Sequence, residues 1–290
     1  MELSVIIVSF NVKDFLRRCL CSVEIALEKI DCEIFVVDNN SGDGSVEMMK
    51  SEFPNVKLLI NKVNAGFSAA NNQAIKMSDG RFVLLLNPDT IVEENTFSKC
   101  IDFMNEHHDA GALGIRMING EGRFLPESKR AFPTLGTAFF KSSGFSYLFP
   151  ESQIFNRYYL PQIDNNATSL TEVISGAFMF IRRETLNKSG LLDEDFFMYG
   201  EDIDLSYRLL QTGYKNYYFP EIQIVHFKGR STVRDSFKDI LHFYEAMRVY
   251  VRKRAKERKY GSFQLIVIPA IYFREGLALM NRLLRLTFSR

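Results

Sequence analysis

The chain has 290 residues, of which 46% are hydrophobic and 24% charged, so it can bury a sizeable core in one large domain. This composition excludes an intrinsically disordered or fibrous protein. The formal net charge is only +1, yet residues 228–290 contain 15 Lys and Arg against 5 Asp and Glu, which gives this part +10 and the rest −9. We therefore expect two kinds of surface.

The cysteines and the N-terminus indicate a cytoplasmic protein. The four cysteines have no CxxC spacing and no nearby histidine cluster, which argues against a zinc site or a disulfide framework and favours a reducing compartment. Residues 1–3 lack the basic start of a signal peptide, and the apolar run that follows is soon interrupted by Ser9 and Asn11.

Short apolar runs alternate with longer mixed segments in the first hundred residues. The runs occupy residues 3–8, 34–37, 56–60 and 82–86. After the first run, apolar residues recur at helical spacing at Phe15, Leu16, Leu20 and Val23. Near-continuous apolar strands separated by helices predict an α/β fold with a mostly parallel central sheet that is covered on both faces.

Polar residues follow each of these four predicted strands in a similar pattern. They are Ser9 and Asn11, Asp38 and Asn39, Asn61 and Asn64, and Asn87 and Asp89. The carboxyl ends of parallel strands meet at one edge, where proteins of this class bind their ligands. Asn and Asp are also ordinary turn residues, but four such pairs in succession favour a binding site over turn chemistry alone.

The middle of the chain continues this pattern less regularly. The predicted elements are a strand at 110–118, a hairpin turn at 119–122, a strand at 173–181, a helix at 201–211 stopped by Gly213, and short strands at 217–219 and 222–226. Residues 124–170 are aromatic and irregular, which indicates a long loop region over a substrate cleft. Within it, Lys129 and Arg130 have two interpretations: contact with an acceptor phosphate, or surface charge on a loop.

Two further helices are predicted at the C-terminus. Residues 233–259 end in a basic run, and residues 263–286 are strongly apolar, but a bilayer requires about 20 apolar residues and the uninterrupted stretch 265–273 is too short. Two interpretations stay open: an amphipathic segment, 250–288, on an anionic membrane surface, or helices that pack on the main domain or on a second subunit of a homo-oligomer. No nucleic-acid-binding motif accompanies the charge, so we expect no nucleic-acid partner.

Two strand ends in the chain carry groups that could bind a metal ion. Asp89, in Asn87-Pro88-Asp89, could hold Mg²⁺ or Mn²⁺ while phosphate oxygens and water complete the shell. His226 ends a predicted strand. A lone histidine is more often structural, but its imidazole would suit Mn²⁺.

Three acids, Glu201, Asp202 and Asp204, begin a predicted helix. The helix dipole and N-terminal capping explain one acid there, not three. A glycine followed by paired acids, after an aromatic run, would leave a carboxylate in a partly apolar pocket. Such a carboxylate is suited to removing the proton of a hydroxyl group.

Taken in order, these motifs resemble those of family 2 inverting glycosyltransferases, and particularly their rhamnosyltransferase-like branch. The resemblance rests on residues 5–11, 36–45, 64–71, 87–89 and 200–204, and motifs extend to about residue 231. It implies a GT-A fold over residues 1–231, followed by a basic, amphipathic helical extension over residues 232–290. It also implies a nucleotide-diphosphate-sugar donor and a divalent metal, Mn²⁺ or Mg²⁺.

The resemblance also implies roles for individual residues. Nucleoside contacts fall to Ser9, Asn11 and Asp38, and positions near the nucleotide and diphosphate fall to Asn64, Gly66 and Asn71. Asp89 matches the last acid of the family's DxD metal motif. Asn87 stands in place of the first Asp, so it is grouped with the residues that bind the nucleotide sugar. His226 matches a histidine that can join the metal shell, and Asp202 matches the general base.

The implied reaction is a direct displacement with inversion. Asp202 removes the acceptor hydroxyl proton as the oxygen attacks the anomeric carbon, while the cation neutralises charge on the leaving diphosphate. Asp38 can hydrogen-bond the imide of uracil or thymine, which favours a UDP- or dTDP-sugar. The acceptor would be a saccharide or a lipid-linked saccharide used in bacterial cell-surface polysaccharide or glycolipid synthesis, with the protein cytoplasmic or peripheral on the inner membrane face.

Two other functions are compatible with the same fold. One is a non-catalytic nucleotide-binding scaffold, which would have no need of a base at residue 202. The other is a nucleotidyltransferase, which would release diphosphate instead of a nucleoside diphosphate. Dinucleotide oxidoreduction is disfavoured because no GxGxxG follows the first strand.

Overall fold

A nine-stranded mixed β-sheet forms the centre of the protein, whose computed structural model describes residues 1–133, 157–228, 236–256 and 264–288. The strands are β1 (Leu3–Ser9), β2 (Cys32–Asp38), β3 (Lys57–Ile60), β4 (Phe82–Leu86), β5 (Thr90–Val92), β6 (Ala110–Ile118), β7 (Ser169–Leu170), β8 (Phe178–Arg182) and β9 (Lys215–His226). Their order is β3-β2-β1-β4-β8-β6-β9-β5, and β7 also pairs with β9.

Strand directions follow from the pairings. β3, β2, β1 and β4 are parallel, β8 runs against both β4 and β6, and β6 is parallel to β9. β5 and β7 run against β9. Six of the nine described strands therefore share one direction, and the predicted α/β fold with a mostly parallel sheet is confirmed.

Eight α-helices accompany the sheet in the described ranges. They are α1 (Lys13–Leu27), α2 (Ser45–Glu52), α3 (Phe67–Met77), α4 (Thr96–Glu106), α5 (Arg183–Ser189), α6 (Glu201–Gln211), α7 (Phe237–Ala255) and α8 (Gln264–Phe288). Alternate strand residues point to opposite faces: Val5 and Ile7 of β1 belong to the core that includes α1, whereas Ile6 and Val8 belong to the core that includes α3 and α6. Burial on both faces explains the continuous apolar runs.

The strand boundaries differ from the sequence-based predictions at a glycine and at a proline. The strand predicted at 173–181 begins only at Phe178, because the chain turns at Ser175 and Gly176 and the Phe178 amide donates to the Ser175 carbonyl at 3.1 Å. The two short strands predicted at 217–219 and 222–226 are one strand, β9, whose pairing with β6 shifts register between Phe219 and Gln223. Pro220 has no amide hydrogen to donate, which accounts for the interruption.

The region 124–170 is irregular where the structure describes it, and residues 134–156 lie outside the described residues. It contains two 3₁₀ turns, Pro126–Ser128 and Arg157–Tyr159, and the short strand β7. An isolated antiparallel bridge joins Arg130 to Val173. The first part of the region is therefore fixed against the segment that leads into β8.

The helix α7 packs on the loop that precedes α6. Phe196 of this loop is buried with Ala246 and Val249 of α7. A buried ion pair joins α7 to α8, with 2.6 Å between a guanidinium nitrogen of Arg248 and a carboxylate oxygen of Glu275. Among the described residues, no helix combines the length and the apolar character that a bilayer crossing requires.

Candidate active site

The loops that follow β2 and β3 are joined by one asparagine, Asn39. Its amide nitrogen donates to Asn64 Oδ1 at 2.8 Å and to the Gly66 carbonyl at 3.2 Å. Its amide oxygen accepts from Asn61 Nδ2 at 3.0 Å and from the Ala65 amide at 2.9 Å. The polar residues of two strand ends thus form one network, and Asn64 contributes to the shape of the loop that contains Gly66.

The loop after β1 is joined in the same way to the loop after β2. Asn11 adopts a left-handed backbone conformation, with φ at 53°, and its side-chain oxygen accepts from the Gly42 amide at 2.8 Å. Asp38 Oδ1 accepts from the Ser41 amide at 2.9 Å. Asp38 Oδ2 and the Ser9 hydroxyl are buried and have no hydrogen-bond partner among the described residues. These two oxygens are therefore the polar groups of this loop pair that still need a partner.

Gly66 lies against the loop that precedes α6. Its φ is +85°, and a Cβ atom at this position would lie 2.6 Å from the Phe197 carbonyl oxygen. The same carbonyl accepts from the Phe67 amide at 2.7 Å. The side chain of Asn71 donates to the Phe67 carbonyl at 2.9 Å, so this buried residue supports the first turn of α3.

Asp89 and His226 lie side by side where β5 pairs with β9. Asp89 is 1% exposed, and its Oδ1 is 3.3 Å from His226 Nε2. Within the described ranges, no group of three or more His, Cys, Asp and Glu side chains could hold a metal. A carboxylate and an imidazole fit Mn²⁺ or Mg²⁺ when oxygens of a bound diphosphate and water supply the other ligands. The donor set at this point of the sheet therefore fits a divalent cation that is shared with a substrate.

Asp202 is the second residue of α6, and both of its carboxylate oxygens are engaged. Its Oδ2 accepts from Arg130 Nη2 at 2.5 Å and from the Gly176 amide at 3.2 Å, and its Oδ1 accepts from the Ile203 amide at 2.8 Å. The side chain is 14% exposed. A carboxylate has about four lone-pair sites, so these three bonds leave capacity for one more donor.

A short chain of contacts connects Asp202 to the Asn87-Pro88-Asp89 motif. The Asn87 amide donates to the Ala177 carbonyl at 3.0 Å, and Ala177 follows Gly176, whose amide bonds Asp202. A Cβ atom on Gly176 would be 3.5 Å from Asp202 Cβ and 3.7 Å from the Phe67 ring. The antiparallel pairing of β4 with β8 thus brings the motif, the start of α3 and Asp202 to one edge of the sheet.

The three acids at the start of α6 have three different environments. Glu201 is 7% exposed, its Oε2 has no hydrogen-bond partner among the described residues, and burial together with the Asp202 charge raises its pKa to about 8. Asp204 accepts from Arg208 Nε at 2.7 Å and from Arg254 Nη2 at 3.1 Å, so it fastens α6 to α7. Of the three, Asp202 is the acid whose carboxylate bonds Gly176, next to the Ala177 carbonyl that accepts from the Asn87 amide.

The two interpretations of Lys129 and Arg130 both need correction, because neither side chain is free at the surface. Lys129 is buried, and its Nζ donates to the carbonyls of Leu160 at 2.8 Å and Ile163 at 2.7 Å. Arg130 pairs with Asp202. Burial is the largest single effect on Arg130 and opposes its charge, but the Asp202 carboxylate and the Tyr158 hydroxyl together outweigh it, and the pKa of the guanidinium is raised. Hydrophobic spacing gave no signal for this pair, whose members are 72 residues apart.

Sequence reasoning gave Asn39 no individual role and did not connect Arg130 with Asp202. Asn39 had a signal, since it follows Asp38 at a strand end, but turn formation explained it equally well. Ser231, at the end of the predicted motif series, and the last three residues of the basic run, 257–259, lie outside the described residues.

A mostly parallel α/β sheet with polar residues gathered at the carboxyl ends of its strands is the architecture of a ligand-binding α/β protein. The chain belongs to glycosyl transferase family 2, whose family model matches residues 4–190. It is therefore a glycosyltransferase with the GT-A fold, and the predicted family membership is confirmed.

Relatives of known function and solved structures agree with this assignment. An N-acetylglucosaminyl-diphospho-decaprenol L-rhamnosyltransferase of Mycobacterium tuberculosis is 26% identical over 87% of this chain and 84% of its own length. The rhamnosyltransferase WbbL of Escherichia coli is 24% identical over 86% and 93%. The mannosyltransferase PcManGT of Pyrobaculum calidifontis, solved with GDP-Man and Mn²⁺, superposes with a TM-score of 0.59 at 16% identity and covers 97% of this chain and 74% of its own.

Proposed function

We propose that this glycosyltransferase moves a sugar from a UDP- or dTDP-sugar to a hydroxyl group, with inversion at the anomeric carbon. The observation that carries the proposal is the contact chain from Asn87 through Ala177 and Gly176 to Asp202. It supports a single site in which the leaving diphosphate and the proton acceptor lie on either side of one sugar.

Donor binding in this proposal falls to the loops after the parallel strands. Ser9, Asn11 and Asp38 would contact the nucleoside, and the unpartnered Oδ2 of Asp38, which has no hydrogen bond within the described residues, matches the imide N–H of uracil or thymine. The loop with Asn64, Gly66 and Asn71, together with Asn87, would surround the diphosphate. In the structure Asn64 and Asn71 bond their own loop and helix, so we expect them to act mainly by shaping this loop.

Asp89 and His226 would hold Mn²⁺ or Mg²⁺. When bound, the cation supplies positive charge that stabilises the departing diphosphate. A second structure with the same fold supports this role, since GalNAc-T7 was solved with UDP, GalNAc and Mn²⁺. The protein itself contributes two ligands side by side, which keeps their mutual geometry fixed before the substrate arrives.

Asp202 would act as the general base. Its carboxylate accepts the proton of the acceptor hydroxyl, the acceptor oxygen forms the new bond to the anomeric carbon, and the bond to the diphosphate oxygen breaks. One displacement of this kind inverts the centre and needs no covalent sugar intermediate. The bonds from Arg130, Gly176 and Ile203 hold the carboxylate in place for that transfer.

A saccharide or lipid-linked saccharide is the acceptor that we propose, in bacterial cell-surface polysaccharide or glycolipid synthesis. The name of the Mycobacterium tuberculosis relative specifies a saccharide on a diphospho-decaprenol carrier. The helix α8 supports a lipid-linked acceptor, because it exposes large apolar side chains at Leu265, Ile266, Phe273, Met280, Leu283 and Leu284. It also carries Arg274, Arg282 and Arg285, so it suits peripheral attachment to the anionic inner face of a cytoplasmic membrane.

The central experiment compares Asp202→Asn with the unchanged protein. We expect the variant to bind UDP or dTDP with the same affinity in calorimetry and to lose donor turnover by about 10²- to 10⁴-fold, the usual contribution of a general base. Turnover that survives in this variant contradicts the assignment of the base. Binding without turnover in the unchanged protein identifies a scaffold, and release of diphosphate instead of a nucleoside diphosphate identifies a nucleotidyltransferase.

A further inference from the structure

Two carboxyl groups and one guanidinium group meet at the start of α6. Glu201 and Asp202 are neighbours in sequence and both are largely buried, so ionising them together is unfavourable. The side-chain hydrogen bonds of Arg130 go to Asp202, Tyr158 and the Ile174 carbonyl, and within the described residues none goes to Glu201. The two chemically similar acids therefore differ in their hydrogen-bond partners, because only Asp202 accepts from Arg130.

We propose that Arg130 is a positioning residue that places the negative charge of this acidic pair on Asp202 and leaves Glu201 neutral. This inference rests on the proposed role of Asp202 as the base. A carboxylate must be unprotonated to accept the acceptor proton, and an adjacent buried acid competes for the same negative charge. One cation that hydrogen-bonds only Asp202 stabilises the charge of that acid more than the charge of Glu201, which it reaches only through space.

Arg130 is itself held in place, which makes it suited to this role. Its carbonyl accepts from the Val173 amide at 2.9 Å, and its own amide donates to Thr171 Oγ1 at 3.3 Å. Its Nη1 donates to the Tyr158 hydroxyl at 3.1 Å. Because both its backbone and its guanidinium are fixed, the ion pair forms with little further loss of side-chain freedom.

The other charged groups near this pair are already engaged. Asp204, in the same helix, is paired with Arg208 and Arg254. From α7, the ring of His242 stacks on Phe197 at 4.3 Å between ring centroids. From the segment before β8, Gly176 contributes only its amide. In the described part of the chain, Arg130 is thus the cation that hydrogen-bonds Asp202.

The experiment follows the carboxyl carbons directly and needs no acceptor. The full chain is labelled with ¹³C at Asp and Glu, and carboxyl resonances are recorded from pH 4 to 9, with Asp202→Asn and Glu201→Gln used for assignment. In the unchanged protein we expect the Asp202 resonance to be ionised at pH 7 and the Glu201 resonance to be neutral. In Arg130→Met we expect the Asp202 titration to move to higher pH by about 1–3 units, the usual effect of removing an adjacent opposite charge.

Lys129→Met is the matched control. It removes a neighbouring buried cation that bonds the Leu160 and Ile163 carbonyls and, among the described contacts, makes no hydrogen bond to Asp202. We expect it to leave the Asp202 titration in place even where it lowers thermal stability. An Asp202 titration that is the same in Arg130→Met and the unchanged protein overturns the proposal, as does a Glu201 resonance that is ionised at pH 6.

A second variant keeps the test decisive if Arg130→Met does not fold. Glu201→Gln substitutes an amide for a carboxyl of the same shape, and we expect the Asp202 titration to stay where it is, because a neutral Glu201 exerts no repulsion. A move to lower pH shows that Glu201 was charged and overturns the proposal. Failure of this inference leaves the loss of turnover in Asp202→Asn intact, whereas turnover that survives in Asp202→Asn refutes the proposed base without changing the carboxyl titrations.

Discussion

Gly66 tests how the loop after β3 and the loop before α6 fit together. Replacing it by alanine puts a side chain on a residue with φ at 85° and ψ at 170°, a backbone region that is occupied essentially by glycine alone, which costs about 1–3 kcal/mol. The new Cβ would also lie 2.6 Å from the Phe197 carbonyl, so the two loops must separate. This separation breaks the bond from the Phe67 amide and leaves a buried donor unpaired, which costs about 1–3 kcal/mol more. We expect a total destabilisation of about 2–6 kcal/mol.

Two other glycines separate these contributions in urea unfolding. Gly122 has φ at +79°, and no described atom lies within 4 Å of the position that a Cβ would take, so Gly122→Ala reports the backbone cost alone, about 1–2 kcal/mol. Gly42 also has open space and no left-handed conformation, so Gly42→Ala should change stability by less than about 0.5 kcal/mol. Because Phe197 precedes α6, we also expect Gly66→Ala to weaken UDP or dTDP binding. If Gly66→Ala is no more destabilising than Gly122→Ala, the close approach to Phe197 has been misjudged.

Three further predictions concern the buried acid, the metal ligands and α8. The folded-state pKa of Glu201 is raised from 4.5 to about 8. The stability that its neutral form contributes to the protein is therefore complete below pH 4.5 and is lost as the pH rises through 8. We expect Glu201→Gln to unfold at a higher urea concentration than the unchanged protein at pH 8 but not at pH 4.5. The difference in the free energy of unfolding should be at most about 5 kcal/mol. Equal urea midpoints at both pH values would contradict the buried environment of Glu201. His226→Ala should lower the affinity for Mn²⁺ measured by calorimetry in the presence of UDP. The control is His107→Ala, which changes a histidine that packs on Phe103. Unchanged Mn²⁺ binding in His226→Ala would remove His226 from the proposed metal site. Phe273→Ser should reduce co-sedimentation of the protein with phosphatidylglycerol vesicles at low salt. The control Ile25→Ser, at a 60% exposed residue of α1, should not reduce it. A dimer in light scattering together with no vesicle binding would favour a second subunit on this face of α8.

The helical extension is in direct contact with the elements that carry Asp202. The hydroxyl of Tyr199 donates to Asp239 Oδ1 at 2.5 Å, and the Arg254 guanidinium lies 3.6 Å from the centre of the Tyr207 ring while it bonds Asp204. The helix α7 thus helps to hold the start of α6.

The sequence by itself determined the local features of this protein. Apolar runs bounded by Asn and Asp predicted β1, β2 and β4 because a strand buried on both faces has no polar alternation to obscure it. The run that predicted β3 belongs to an edge strand whose residues are exposed or half-buried. The helix at Glu201–Gln211 was predicted with its observed bounds, since its apolar spacing and the terminating Gly213 are local signals. The ordered motifs likewise identified the family, because each motif lies within a few consecutive residues.

Only the tertiary structure decided which polar groups meet. The Arg130 and Asp202 pair, the role of Asn39 and the burial of Lys129 depend on contacts between residues far apart in sequence, and such contacts leave no periodic pattern. The same holds for the three acids at 201, 202 and 204, which are adjacent in sequence yet differ because burial and the position of one or two cations are set by other elements. Secondary structure responds to local spacing, whereas the charge of a side chain depends on the solvent and partners that the whole fold provides.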